Sequence, residues 1–125
     1  MTATRDPEFL LPLTPAMLHV LLALADEDRH GYAIIKDVEA RTDRKVHLGA
    51  GTLYGLVKKL LADGLIQESR RRPPVAEDDE RRRYYRLTAF GRRVLVAEVE
   101  RLEETVAIAR TKDLLKRIQP AQGET

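Results

Sequence analysis

Between Gly49 and Gly64 the chain reads GAGTLYGLVKKLLADG, a stretch that fits an amphipathic helix with very little side-chain bulk on its outer face. Leu53, Leu56, Val57 and Leu60 recur at i, i+3, i+4 and i+7, the spacing that gathers apolar side chains onto one side of a helix. Gly51, Gly55 and Ala62 then fall near the middle of the opposite side, with Thr52 and Lys59 on one flank and Lys58 on the other. Side chains this small let a helix sink against a surface. Thr52 and the two lysines supply a hydroxyl and positive charge for phosphate oxygens or base edges. Gly49 and Gly51 leave the first backbone N–H groups open, and the positive end of the helix dipole there favours an anion. An ordinary core helix with a solvated Lys-Lys pair fits the same pattern, so the rest of the chain has to decide.

With 125 residues the chain is expected to form one small domain with a real core. It contains no cysteine, which removes disulfides, thiolate metal sites and cysteine nucleophiles and is compatible with the cytoplasm. His19, His30 and His47 are scattered, without a second ligand at zinc spacing. No metal or other cofactor is expected. No paired carboxylates, Ser-His arrangement or glycine-rich phosphate loop can be assembled, so an enzyme is not expected either. No apolar run approaches the roughly 20 residues of a membrane span and no signal-peptide pattern opens the chain, so no membrane partner is expected.

The net charge of +2 says little about partners, but its distribution says more. Residues 1–48 carry six Lys/Arg against eight Asp/Glu, and residues 94–125 carry five against six. Residues 49–93 carry eleven against six, so the positive charge lies on the glycine-rich helix and the arginine-rich stretch after it.

The chain divides into a flexible N-terminal arm at 1–13, a folded unit at 14–88, a C-terminal helical region at 89–118 and a frayed tail at 119–125. Thr14-Pro15 starts a first helix, as N-cap and first helical residue. Met17, Leu18, Val20, Leu21, Leu22 and Leu24 leave that helix apolar almost all round, which predicts burial on more than one side and hints at a second chain, with Leu18 and Leu22 facing it. Asp26 to His30 reads as a polar turn, Gly31 to Thr42 as a second helix with Ile34, Ile35 and Val38 inward, and Lys45 to Leu48 as extended, with room for a short strand. After the central helix, strands from Leu65 to about Arg71 and from Arg82 to Leu87 enclose a loop with Pro73-Pro74 and the acidic run Glu77 to Glu80. Thr88 caps a last helix running to about Thr111, in which Leu95, Val99, Leu102 and Val106 make an apolar seam for dimerisation. Glu98 is expected beside or opposite that seam on the polar side, and Phe90 and Val94 are expected to dock the helix on its own domain. The fold class is therefore mainly α with a small β-hairpin, a winged helix-turn-helix with a C-terminal dimerisation helix.

Three pieces of the chain carry a family resemblance: LHVLLALADEDRHGYAIIKDVE, GTLYGLVKKLLADGLI and RRRYYRLTAFGRRVL. Together they span roughly residues 16–95, and His30-Gly31-Tyr32, Thr52-Leu53-Tyr54, Gly64-Leu65-Ile66, Tyr84-Tyr85, Leu87-Thr88 and Gly91 are the positions that carry the match. In these the chain resembles the PadR-like transcriptional regulators, and its single short C-terminal helix resembles their compact subgroup. The resemblance implies a homodimeric winged-helix protein that binds double-stranded DNA and usually represses transcription. Two departures stand out. Gly55 replaces the proline common after the tyrosine of the central motif, and the chain has no tryptophan, whereas relatives that take flat aromatic drugs stack them between tryptophans. A small-molecule effector is therefore left unidentified.

The residues expected to approach DNA are Tyr32 and Lys36 on the second helix, Gly49, Gly51, Thr52, Tyr54, Gly55, Lys58 and Lys59 on the central helix, and Arg70, Arg72, Arg82 and Arg83 on the wing. Tyr54 borders the apolar face, so its ring can pack while its hydroxyl reaches a phosphate. The acidic run at the wing tip is expected to point away from DNA. The competing expectation is a winged-helix module that binds protein through its hairpin edge without specific DNA binding, and the basic middle segment argues against it.

Overall fold

The computed structural model describes residues 6–70 and 83–115. A short 3-10 helix at Pro7–Leu10 precedes α1 (Pro15–Ala23), β1 (Arg29–His30), α2 (Gly31–Arg41), α3 (Ala50–Ala62), β2 (Ile66–Ser69), β3 (Tyr84–Leu87) and α4 (Ala89–Thr111). This is a winged helix carrying a long C-terminal helix, the fold class expected.

The helix ends follow from local chemistry. Thr14 caps α1 by accepting from the Met17 N–H at 3.1 Å, with Pro15 at the first helical position. His30 caps α2 through Nδ1, which accepts from the Ala33 N–H at 3.2 Å. α3 stops at Gly64, whose φ of 77° is the left-handed conformation that glycine adopts without a Cβ penalty. The N–H groups of Leu65 and Gly64 then bond back to the carbonyls of Leu60 and Leu61 at 2.9 and 3.1 Å, satisfying the last turn. Thr88 caps α4 by accepting from the Gly91 N–H at 2.9 Å, and its hydroxyl donates to the Gly64 carbonyl at 2.7 Å. One threonine thus ties the end of α3 to the start of α4.

The sheet is antiparallel with order β1-β3-β2. Ile66 faces Leu87 and Ser69 faces Tyr84 across the hairpin, while Arg29 and His30 pair with Tyr85 and Tyr84. The third strand is a departure from the sequence reading, which made Asp26 to His30 a turn. Two residues are too few for a period-two signal, and they are extended because β3 offers them a free edge. The acids of that turn are engaged in packing. Arg29 donates to the Ala23 carbonyl at 2.7 Å and lies 3.4 Å from both Asp26 and Asp37, and Arg41 bridges the same two carboxylates.

Core side chains come from every layer: Val20 and Leu21 of α1, Ile34 and Val38 of α2, Leu53, Val57 and Leu60 of α3, Leu65 and Ile66, Tyr85 and Leu87 of the wing, and Val94 and Leu95 of α4. Several further expectations are corrected. Lys45 to Leu48 forms no strand. Asp43 and Arg44 turn the chain with positive φ, and Thr42 bonds the Val46 N–H at 3.1 Å, closing a compact turn into α3. β2 ends at Ser69, short of Arg71. Residues 6–13 are not a free arm, because Pro7–Leu10 packs along α4 and Leu13 is buried.

Leu95 belongs to the chain's own core, at 5% exposure, so it does not stand in an open seam. Glu98 is also corrected, from the polar side to the interior at 1% exposure. Its Oε2 accepts from the Leu13 N–H at 3.0 Å and its Oε1 from Arg101 Nε at 2.6 Å. Helical spacing alone could not show that the N-terminal segment lies over this position and brings a backbone donor to it.

The hydrogen bond from Arg101 holds the Glu98 carboxyl below its ordinary 4.5, outweighing the burial that would raise it. A carboxylate with a lowered folded-state value stabilises the fold above its unfolded value, and that contribution is lost as pH falls through the folded one. Glu98→Ala should destabilise the domain by about 1–3 kcal/mol at neutral pH, because a buried N–H and a guanidinium lose their acceptor. In denaturant titrations the difference from the parent should be constant above about pH 5 and shrink in acid, below Glu98's own titration.

Candidate nucleic-acid interface

The core side of α3 is buried at Leu53, Val57 and Leu60, which turns its other side outward. There Gly49, Gly51, Thr52, Tyr54, Gly55, Lys58 and Lys59 are all exposed, the arrangement that the spacing predicted. A Cβ placed on Gly49, Gly51 or Gly55 would meet nothing within 4 Å, so none of these glycines is demanded by internal packing. Gly91 is the contrast, since a Cβ there would stand 2.0 Å from the Leu65 carbonyl oxygen. The glycines of α3 leave its backbone bare toward the outside.

Beside α3 lies a groove of about 340 Å³, lined by His30, Tyr32 and Ile35 from the head of α2, by Ala50, Leu53, Tyr54 and Val57 from α3, and by Arg83 and Tyr85 from the wing. Tyr32 and Tyr54 stand at its rim, 60% and 69% exposed. The Lys36 ammonium sits 5.5 Å from the centre of the Tyr32 ring, and His30 stacks on that ring while meeting Tyr84 edge-on. Burial pushes the Tyr85 phenol up, so Tyr85 is a neutral wall. Tyr32, Lys36 and Tyr54 thus come together on one side of the molecule although 22 residues separate the two tyrosines in sequence.

Two of the expected cations already have anionic partners. Lys59 pairs with Asp63 at 3.3 Å, one turn along α3, and Arg83 pairs with Glu68 across the hairpin at 2.8 Å. Arg70 is exposed at the end of β2, while Arg72, Arg82 and the acidic tip lie outside the described residues. Among the exposed cations not assigned from sequence, three adjoin α3 in the chain or lie on the wing. Arg44 and Lys45 stand in the turn immediately before α3, and Arg86 faces outward on β3 opposite Gln67. The Arg44-Lys45 pair is readable as two adjacent cations ahead of a helix start, but the turn that exposes it has no signal in the sequence pattern. Arg86 required the register of the hairpin.

Leu18 and Leu22 are half-buried and pack against the core, leaving part of each outside. Val99 and Val106 remain exposed on α4 and Leu102 is half-buried. Among the described residues no helix is long and apolar enough to cross a membrane, and no group of three or more His, Asp and Glu side chains is placed to hold a metal.

The sequence model of the PadR-like transcriptional regulators matches residues 20–97. The chain belongs to the PadR-like family. Among solved structures, this regulator is similar to a transcriptional regulator from Clostridium thermocellum, at 25% identity over 76% of this chain and 89% of that one, with a TM-score of 0.61. It is also similar to a PadR-like transcription factor from Bacteroides fragilis, at 26% identity, 74% and 86% coverage and a TM-score of 0.55. A third similar structure is the complex hsRosR-S4 of the H. salinarum protein RosR, at 25% identity, 86% and 96% coverage and a TM-score of 0.63. No curated protein matches the chain at a significant level. The family match covers α2, α3, the wing and the first part of α4, and it makes the protein a transcription regulator.

Gly55 lies inside α3 with open space where a side chain would go, so its effect on the PadR-like domain alone is one of backbone freedom. Gly55→Ala should raise stability by about 0.5–1 kcal/mol, read as a higher melting temperature. A lower one would show that the outer side of α3 is closed.

Proposed function

We propose that this PadR-like regulator binds double-stranded DNA sequence-specifically as a homodimer and represses transcription from an inverted-repeat operator, with α3 in the major groove and the wing beside it on the backbone. The observation that carries this reading is the outer side of α3, where bare backbone at Gly49, Gly51 and Gly55 is flanked by Thr52, Tyr54 and Lys58. A helix with that surface can approach a groove floor closely while its flanks reach phosphates. Tyr32 and Lys36 extend the contact surface along α2, and Arg70, Arg72, Arg82 and Arg83 supply the wing. Arg44, Lys45 and Arg86 add to the positive surface. Arg83 and Lys59 contribute less than their charge suggests, because each must first loosen from a carboxylate.

Phosphate contacts release counterions, so binding should weaken steeply as salt rises. Replacing Lys58 and Lys59 by Ala should weaken binding and flatten the salt slope by about one unit for each phosphate that is no longer neutralised. Lys58 should account for most of the weakening. An unchanged affinity and slope in a filter-binding titration would remove both lysines from the interface, and binding with no salt dependence would favour the protein-partner alternative.

A single recognition helix reads too few base pairs to single out an operator, so two copies are required. The surface that fits this role combines Val99, Leu102 and Val106 of α4 with the outer parts of Leu18 and Leu22, each contributing on the order of 1 kcal/mol once covered. Leu95 no longer belongs to it. Val99→Asp with Leu102→Asp would place unpaired carboxylates in that contact. Sedimentation should show a monomer with a folded spectrum, which keeps weak affinity for any duplex and loses preference for a selected one. A double variant that stays dimeric would mean that another surface holds the two copies. Half-sites should lie about 10 base pairs apart or a multiple of it.

A further inference from the structure

Resting on the DNA-binding reading above, the side chains of α3 limit which base edges it can read. Ala50–Ala62 contains no Arg, Asn, Gln, Asp or Glu, the side chains that make bidentate bonds to guanine or adenine or accept from cytosine. Of its two long cationic side chains, Lys59 is engaged by Asp63. What flanks the exposed backbone of Gly51 and Gly55 is Thr52 on one side and the Tyr54 ring on the other, both exposed. These two side chains present a methyl group and an aromatic edge, and each has only a hydroxyl for hydrogen bonding. In the major groove the C5-methyl of thymine is the apolar feature of a base edge, and apolar contact recognises it.

We propose that Thr52 and Tyr54 are specificity-determining residues that read thymine methyl groups in each half-site. Gly51 and Gly55 let the helix come close enough for the contact, because no side chain stands between the backbone and the groove floor. Among the side chains of α3, hydrogen-bond readout rests with Lys58 and the two hydroxyls. The operator half-site is therefore specified chiefly by the placement of its thymines.

The test uses the full chain and the duplex it selects from a random library, with each thymine replaced in turn by deoxyuridine. That exchange deletes the methyl and leaves the hydrogen-bonding edge intact. Removing a methyl that the protein touches should weaken binding about fourfold, at positions symmetric between the half-sites. The salt slope should not change, because no phosphate contact is altered. Thr52→Ser keeps the hydroxyl and removes the methyl. It should weaken binding to the unmodified duplex by a similar factor and erase the deoxyuridine penalty at the thymine it reads, with an unchanged melting temperature. Tyr54→Ala should erase the penalty at a different thymine. Tight binding that is indifferent to every deoxyuridine, or penalties that survive in both variants, would overturn the methyl readout and leave DNA binding standing. A selected site without thymine in its half-sites would overturn it equally. A chain that retains no duplex even at low salt would overturn the DNA-binding reading, and this proposal with it.

Discussion

The close approach of α4 to the chain leaving α3 is the contact on which the rest of the molecule depends. Gly91 lies so near the Leu65 carbonyl that no other residue fits, and the Thr88 hydroxyl beside it joins the Gly64 carbonyl to the first turn of α4. The left-handed turn at Gly64 makes this possible by closing α3 abruptly and sending Leu65 and Ile66 inward. Three elements are fixed by that junction. α3 is held by its C-terminal end, the wing by Leu65 and Leu87 on either side of it, and α4 by its cap. The N-terminal half of α3, which carries the exposed glycines and Tyr54, projects from the anchored end.

Part of the charge in this protein is committed before any partner arrives. Arg29 and Arg41 share Asp26 and Asp37, so an apparently polar turn becomes a bracket joining α1, β1 and α2. Glu98 and Arg101 hold the N-terminal segment to α4 through the backbone of Leu13. Glu68 occupies Arg83 and Asp63 occupies Lys59. The total of basic residues is therefore a poor guide to the field that a nucleic acid would meet. Cations with no carboxylate beside them among the described residues, such as Lys58, set that field more directly, because they need no rearrangement to meet a phosphate.

For most helices a short stretch of chain carries the whole cause, and there the sequence pattern and the structure agree; the local turn at 42–46 is an exception, because the positive φ of Asp43 and Arg44 has no periodic signal. The spacing of Leu53, Val57 and Leu60 gives one buried face and leaves the opposite glycines outside. Thr14-Pro15 and Thr88 begin helices because the capping oxygen and the N–H it accepts are three residues apart. Phe90 and Val94 dock α4 on the domain as their spacing indicated. The other disagreements come from distant segments that supply a partner. β1 exists because β3 has an edge for it, and Leu95 is buried because of what lies over α4. The groove between α2, α3 and the wing has the same origin, since its walls come from three elements.

By itself the sequence determined the helices, the outward side of α3, the basic middle segment and the winged-helix order, because helix periodicity, caps and charge counts act over a few neighbouring residues. The tertiary structure alone decided which charges are consumed, which α4 residues stay open, and that Tyr32 and Tyr54 share a rim. Those outcomes depend on distances between segments far apart in the chain, and the packing of elements sets those distances. Glu98 shows the division most clearly. Its place on a helix was legible, but its burial required the N-terminal segment to fold back and present the Leu13 N–H to it.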